Sequence, residues 1–254
     1  METLQKIAVP TLAILAFLGL WEFIVWVNDW PNYKMASPSD LPPAFARYSN
    51  LFIEMGWQTL WRTVAGLGLA VLFGTLLGMA MGFSRIARDA LYPLLVGFNA
   101  IPKATLVPVI ALIFIGQHDF NTVLMAFLIS FFPIAVSVGI GLSTLEPEYR
   151  DILRSLGASR VTIFRKIALP KTLPEFFGAL KVSVTLAFIG TNLVEIVSPH
   201  GRGLGALFKS GETNGDYPLM FAVLIALAVL GIVLYYAVVA LERIFAGWAE
   251  RPQS

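Results

Sequence analysis

Six apolar stretches, each about as long as a hydrocarbon core is thick, constrain this chain more than any other feature. By hydropathy they cover residues 7–27, 60–83, 91–116, 122–142, 176–197 and 219–241. A helical span takes about 20 apolar residues, and in lipid the backbone must satisfy its own hydrogen bonds, which helices do within a single segment. The expected fold is all-α, a polytopic six-helix bundle forming one transmembrane domain over residues 1–254. Composition agrees, because 57% of the 254 residues are hydrophobic and 13% charged, against about 25% charged in soluble domains. A soluble enzyme is excluded. The first stretch follows only Lys6, carries Glu22 and ends without a small-x-small cleavage pattern, so it is expected to stay as an anchor.

Orientation follows from where the cations fall, since basic residues are enriched in cytoplasmic segments. Lys6, Arg85, Arg88, Arg150, Arg154, Arg160, Arg165, Lys166, Lys171, Arg243 and Arg251 lie on one side of the expected bundle. Lys34, Arg47, Arg202 and Lys209 lie on the other, joined by Arg62 if that residue is at the surface. Both termini are therefore expected in the cytoplasm. A net charge of +2 is too small for a nucleic-acid binder. With no cysteine and only His118 and His200, the chain has no disulfides, no thiolate chemistry and no paired-histidine zinc motif.

Within the spans, Gly66, Ala70, Gly74, Gly78 and Gly82 place a small residue at every fourth position. Such a row lets a second helix approach closely, either in the same subunit or across a dimer seam. The third stretch is interrupted by Pro93, Pro102 and Pro108, with Asn99, Lys103 and Thr105 near its middle. Broken backbone at membrane depth survives where it is buried in protein or lines a wet cavity, so the segment reads as a kinked packing helix or as part of a transport path. Lys103, Lys181 and Glu195 are not expected to face lipid, where a charge costs about 2.5–3.5 kcal/mol. Lys181 is expected to snorkel to the cytoplasmic interface and Glu22 to pair within the bundle. Glu195, Asn192 and Thr191, near the outer end of the fifth stretch, serve either as structural hydrogen-bonding groups or, with Asn99 and Lys103, as translocation-path residues. On the outside, residues 37–43 read as a turn feeding a short amphipathic helix over 45–53, and Gly201, Gly203 and Gly205 as an external turn.

The loop between the fourth and fifth stretches, residues 144–172, is patterned as helix. Ser143 or Thr144 can cap it, Pro147 suits a first turn, and Glu146, Glu148 and Asp151 favour its N-terminal end. Tyr149, Ile152, Leu153 and Leu156 make an apolar stripe, Gly157 allows a bend or close approach, and Val161, Phe164 and Ile167 continue before Pro170 and Pro174. Such a stripe on a basic helix either docks a partner or lies in the headgroup layer.

Residues 154–174, RSLGASRVTIFRKIALPKTLP, resemble the cytoplasmic signature of ABC importer permeases: Glu-Ala-Ala, three residues, Gly, nine residues, Ile, one residue, Leu-Pro. Gly157, Ile167, Leu169 and Pro170 stand at that spacing, while Asp151, Ile152 and Leu153 replace Glu-Ala-Ala and keep only the acid. The segments SPSDLPPAF, IPKATLVPVIALIFIG, LVEIVSPHGRGLGALF and LERIFAGW are similar to the branch handling nitrate, sulfonates, taurine and related nutrients. The resemblance implies a homodimeric permease of the type I importer fold in a bacterial inner membrane. It also implies that Tyr149, Asp151, Ile152, Leu153, Leu156, Gly157, Ile167, Leu169 and Pro170 dock a separate ATPase subunit, and that an external binding protein delivers substrate. ATP would be used by that partner, this chain needing no cofactor. Consistent with this, the chain has no Gly-Lys dipeptide and so no Walker A loop. A self-contained secondary transporter or channel is the competing class, but it has no need of a patterned cytoplasmic docking helix. The substrate itself is not readable beyond a small nutrient, with an organic or inorganic anion favoured.

Overall fold

A computed structural model describes residues 2–143, 155, 157, 159, 162, 164–198 and 201–248. Among them the regular structure is helical throughout. The order is α1 (Glu2–Val27), a 3-10 turn (Pro38–Asp40), α2 (Leu41–Arg47), α3 (Ser49–Phe83), α4 (Arg85–Ala100), α5 (Lys103–Ile113), α6 (His118–Ser143), a π turn (Phe164–Ala168), α7 (Leu169–Val197), α8 (Leu204–Asn214) and α9 (Tyr217–Ala246).

The small-residue row of α3 sets the arrangement. A side chain at Gly74 would sit 3.0 Å from the Ile134 Cβ, one at Gly78 2.6 Å from the Val138 Cβ, and one at Gly82 2.6 Å from the Leu142 Cβ; Gly66 faces Ala126 in the same way. Each partner lies sixty positions further along the chain, a constant offset that only two parallel helices in register can produce. The row therefore packs within one protomer, and the seam is α3 against α6. On α7, Gly190 abuts Ala126 while Thr172 abuts Gly141, so α7 runs antiparallel to α6. α3, α6 and α7 form the central block, with a core that includes Ala70, Phe131, Ile134, Val138, Leu180 and Val184. Backbone approach replaces hydrophobic drive here, since lipid is as apolar as the side chains it would release.

Parallel α3 and α6 oblige the intervening chain to recross the bundle, and the expected third span does so as two helices, α4 and α5, bent by 91°. Ser84 begins α4 by accepting a bond from the Ala87 N–H at 3.2 Å. The break falls at Ile101 and Pro102, where proline has no N–H to offer the Phe98 carbonyl. Four helices, Ser49–Phe83, His118–Ser143, Lys166–Val197 and Tyr217–Ala246, are individually long and apolar enough to cross a membrane, and the bent pair makes a fifth candidate. Of the six expected spans the first is the shortest, its apolar part running Thr11–Val27, at the lower limit of about 17 residues.

Two local expectations are corrected. The outer amphipathic helix expected over 45–53 is not one element: α2 ends at Arg47, and α3 starts at Ser49, well outside the apolar stretch that begins at residue 60. Of the glycines at 201–205, Gly201 and Gly203 lie in the connection before α8, Gly203 as its N-cap, whereas Gly205 belongs to the first turn of that helix, which hydropathy missed. The Lys181 Nζ lies 2.9 Å from a carboxylate oxygen of Glu242, near the C-terminal end of α9. Glu22 is paired as expected, accepting from the Ser39 N–H at 3.1 Å and hydroxyl at 2.9 Å. Trp21 and Val25 of α1 pack with Leu41, Ala44 and Ala222.

The seam can be tested with two alanines. Gly78→Ala places a Cβ against Val138 and the Ala135 carbonyl and should destabilise the protein by about 1–3 kcal/mol through overpacking. Gly68→Ala, on the same helix with nothing within 4 Å, should be neutral or slightly stabilising. Thermal unfolding in detergent distinguishes them; equal effects would mean that α3 does not meet α6 along this row.

Candidate functional site

Three regions carry polar or patterned residues that a plain apolar bundle would not need. The first is the segment between α6 and α7. Tyr149, Asp151, Ile152, Leu153 and Leu156 lie outside the described residues. Gly157 is exposed with φ +82°, a conformation that glycine adopts without strain, and a Cβ there would meet no described residue within 4 Å. Ile167 is half-buried in the π turn, Leu169 exposed, and Pro170 half-buried in the first turn of α7. The Phe164 ring meets Phe83 edge-on at 5.4 Å, which ties this segment to the C-terminal end of α3.

The second region is the elbow between α4 and α5. The Lys103 ammonium donates to the Phe98 carbonyl, the acceptor that Pro102 leaves without its helical partner, and lies 4.4 Å from the centre of the Phe98 ring. Asn99 and Thr105 are exposed on either side, and the Thr105 hydroxyl donates to the Pro102 carbonyl at 2.7 Å. Lysine has three N–H donors, so one carbonyl does not exhaust it.

The third region, at the end of the block away from the α6–α7 segment and expected to be the outer one, is a buried ionic cluster. Glu195, in the last turn of α7, has 0% exposure and Arg62 of α3 has 1%. Arg62 donates from Nη1 to Glu195 at 3.2 Å, from Nε and Nη2 to Asp119 of α6 at 2.9 and 2.5 Å, and from Nη1 to the Arg202 carbonyl. Glu195 also accepts from the Thr59 hydroxyl at 2.8 Å and from the Gly205 N–H at 3.1 Å, while Thr59 Oγ1 accepts from the Leu204 N–H at 2.8 Å. His118 completes the ring: its Nε2 accepts from the Arg202 N–H at 3.3 Å and its Nδ1 stands 3.0 Å from the Ser198 hydroxyl. A carboxylate beside the first N–H groups of α8 meets the positive end of that helix, and a guanidinium with five donors satisfies several oxygens together.

The expected path residues thus separate. Asn99 and Lys103 stand together at the elbow, whereas Glu195 and Thr191 are sealed between α3 and α7, with the Thr191 and Thr63 hydroxyls 3.0 Å apart. Asn192 is half-buried; its Nδ2 donates to the Phe188 carbonyl at 2.8 Å while its Oδ1 is buried without a partner.

Residues 70–246 match the model of a family described as the binding-protein-dependent transport system inner membrane component. The chain belongs to this family. The formylaminopyrimidine transport permease protein ThiX of Halalkalibacterium halodurans is 32% identical over 95% of this chain and 96% of its own length. The taurine transport system permease protein TauC of Escherichia coli is 28% identical over 95% and 89%. Among solved structures, the MetNI methionine ABC transporter in an inward-facing conformation matches 78% of this chain and 98% of its own chain, with TM-score 0.62 and 21% identity. The fold is that of a type I ABC importer permease, and the protein is the transmembrane permease subunit of such an importer.

In this ABC permease, Arg62 and Asp119 are the residues that sequence reasoning missed. The available signal was an arginine two residues inside an apolar stretch, which has to be at the surface, paired or hydrated. Its ion pair is a sharp test. Arg62→Met leaves Glu195 buried without its cation and should cost about 3–5 kcal/mol. Asp119→Asn, at a carboxylate with 62% of its side chain exposed, should cost about 1 kcal/mol or less. Adding Glu195→Met to Arg62→Met should recover much of the loss in thermal unfolding; three equal, small effects would rule out the buried pair.

Proposed function

We propose that two copies of this chain form the transmembrane pathway of an importer, each with its termini in the cytoplasm. Residues 147–170 dock a separate ATP-binding subunit, and the outer face receives a substrate-loaded binding protein. The observation that carries this reading is the match of Gly157, Ile167, Leu169 and Pro170 to the docking signature, in a chain that belongs to a binding-protein-dependent family. The cation distribution supports the orientation, because the residue-157 side of the bundle holds most of the Lys and Arg. ATP is then hydrolysed in the partner, and this chain contributes the path and the mechanical contact.

Gly157 supplies the test of docking. Since no described residue stands within 4 Å of its Cβ position, bulk added there acts on an approaching partner. Gly157→Trp should abolish uptake and co-purification with the ATP-binding subunit while membrane insertion persists. Gly157→Ala, which carries the strain of a positive φ at about 1 kcal/mol without the bulk, should retain both. Normal assembly and uptake in the tryptophan variant would refute docking at this site.

The substrate is a small, polar nutrient of the anionic class, and the path runs past the elbow at Asn99 and Lys103 and past Asn192. Relatives named for formylaminopyrimidine and taurine transport support a small polar cargo, taurine bearing a sulfonate. Two symmetry-related lysines at a break in the membrane suit an anion, each ammonium retaining donors beyond its bond to Phe98. Lys103→Met keeps the stem and removes the charge. Uptake should fall by about tenfold, the effect of losing one charged contact, with assembly and basal ATP hydrolysis retained. Unchanged uptake would return Lys103 to a purely structural bond with the carbonyl.

A further inference from the structure

The first turn of α7 and its last turn belong to two different contacts. Leu169 and Pro170, from the docking signature, begin the helix; Glu195, from the outer cluster, lies two residues before its end at Val197. The 29 residues between these bounds form one helix, about 44 Å long at 1.5 Å per residue. At its outer end α8 is held by its backbone. Its first N–H groups, those of Leu204 and Gly205, have no partner inside the helix and instead bond to Thr59 of α3 and Glu195 of α7. Gly203, at φ +128°, leaves no room for a side chain beside the Glu195 carboxylate. The opposite face of α8 is free: Lys209, Ser210, Thr213 and Asn214 are exposed and, with Ile196 and Ser198 of the α7 end, border a cleft of about 430 Å³.

We propose that Thr59, Arg62 and Glu195 form a positioning clasp that fixes α8 to the outer end of α7, so that a binding protein seated on α8 displaces α7 and, through it, the segment meeting the ATP-binding subunit. This rests on the function proposed above. The clasp is suited to the task because its bonds are buried, that from the Gly205 N–H to the Glu195 carboxylate being charge-assisted, and such bonds do not slip as surface contacts between long side chains do. Arg62 anchors the same point to α6 through Asp119, so the displacement is referred to the whole block. The exposed polar face of α8, with the Lys209–Glu212 pair at 2.8 Å and Arg202 beside it, offers a partner charged and hydrogen-bonding groups in place of apolar ones.

Thr59 isolates the clasp from the ion pair. Thr59→Val is nearly isosteric, leaves Arg62 and Glu195 together and removes the acceptor for the Leu204 N–H; Thr59→Ser restores the hydroxyl. Both are compared with wild type in the complete transporter, reconstituted in lipid with its ATP-binding subunits, with and without loaded binding protein. The valine variant should keep its basal ATP hydrolysis within about twofold and lose about fivefold to tenfold of the binding-protein stimulation, the range of an ordinary coupling between sites. The serine variant should respond as wild type does. Wild-type stimulation in the valine variant, an equal defect in valine and serine, or parallel loss of basal and stimulated rates would each overturn the clasp. If the valine variant assembles poorly, rates per complex isolated by gel filtration give the same split. A wild-type complex that ignores the binding protein would instead refute the underlying function, and the clasp with it.

Discussion

The close approach of α3 to α6 is the contact on which the rest of this structure depends. Every fourth residue of α3 from Gly66 to Gly82 is glycine or alanine, and opposite them stand Ala126, Ile134, Val138 and Leu142. In a bilayer two helices gain nothing from hiding apolar side chains, so the gain must come from dispersion between closely fitted surfaces, which requires the absence of side chains on one partner. Because the pairing is parallel, it also dictates topology. The chain leaving α3 has to return to the starting side before α6 can begin, and the bent arm of α4 and α5 is that return. The elbow and its lysine thus have a geometric origin in the glycine row.

The outer cluster solves a different problem. Where α6 begins and α7 ends beside α3, backbone donors at the start of α8 and charged side chains would be buried unsatisfied. Arg62 answers two carboxylates and a carbonyl, and Glu195 and Thr59 answer the N–H groups of α8. An ion pair of this kind contributes little net stability compared with apolar packing, since both charges lose hydration. What it adds is position, because each partner accepts only one geometry. The Tyr48 hydroxyl, bonded to Asp216 at 2.6 Å, adds a second tie between the outer segment and the start of α9, and that carboxylate raises the phenol above its ordinary pKa.

Much of the fold was legible in the sequence for reasons that are local. Hydropathy located the spans because each must be apolar along its own length, and the four-residue spacing of Gly66 to Gly82 announced a helix contact without naming its partner. The docking signature was legible because its residues are adjacent in sequence. What escaped was pairing across distance: Arg62 with Asp119 and Glu195, or Lys181 with Glu242, joins residues that only the folded topology brings together. Hydropathy also misplaced the outer helices. α8 carries Lys209, Ser210, Glu212 and Thr213 among its few apolar residues, and the outer end of α3 mixes Glu54 and Gln58 with Trp57, so neither looks like a span. Thr191 and Glu195 were grouped with path residues because polar groups at membrane depth are commonly functional. The structure closes them into packing, where the same polarity serves to hold helices together.

These two modes of attachment divide the molecule mechanically. Around α3, α6 and α7 backbones touch, and moving one helix past another would force glycine positions against branched side chains such as Ile134 and Val138. The arm of α4 and α5 and the first helix are held otherwise. Leu94, Leu112, Ile113 and Ile115 on the arm, and Leu12, Ile14 and Phe17 on α1, remain exposed to whatever surrounds the protomer. At the elbow the Phe98 carbonyl keeps a backbone bond from the Ile101 N–H at 3.3 Å and gains one from the Lys103 side chain, the Pro102 N having no hydrogen to give. A side chain can exchange that acceptor for another without unfolding a helix, whereas the seam has no alternative register that preserves all four glycine contacts. Conformational change in this permease is therefore cheapest at the elbow and at the protomer's outer contacts, with the block moving as one piece.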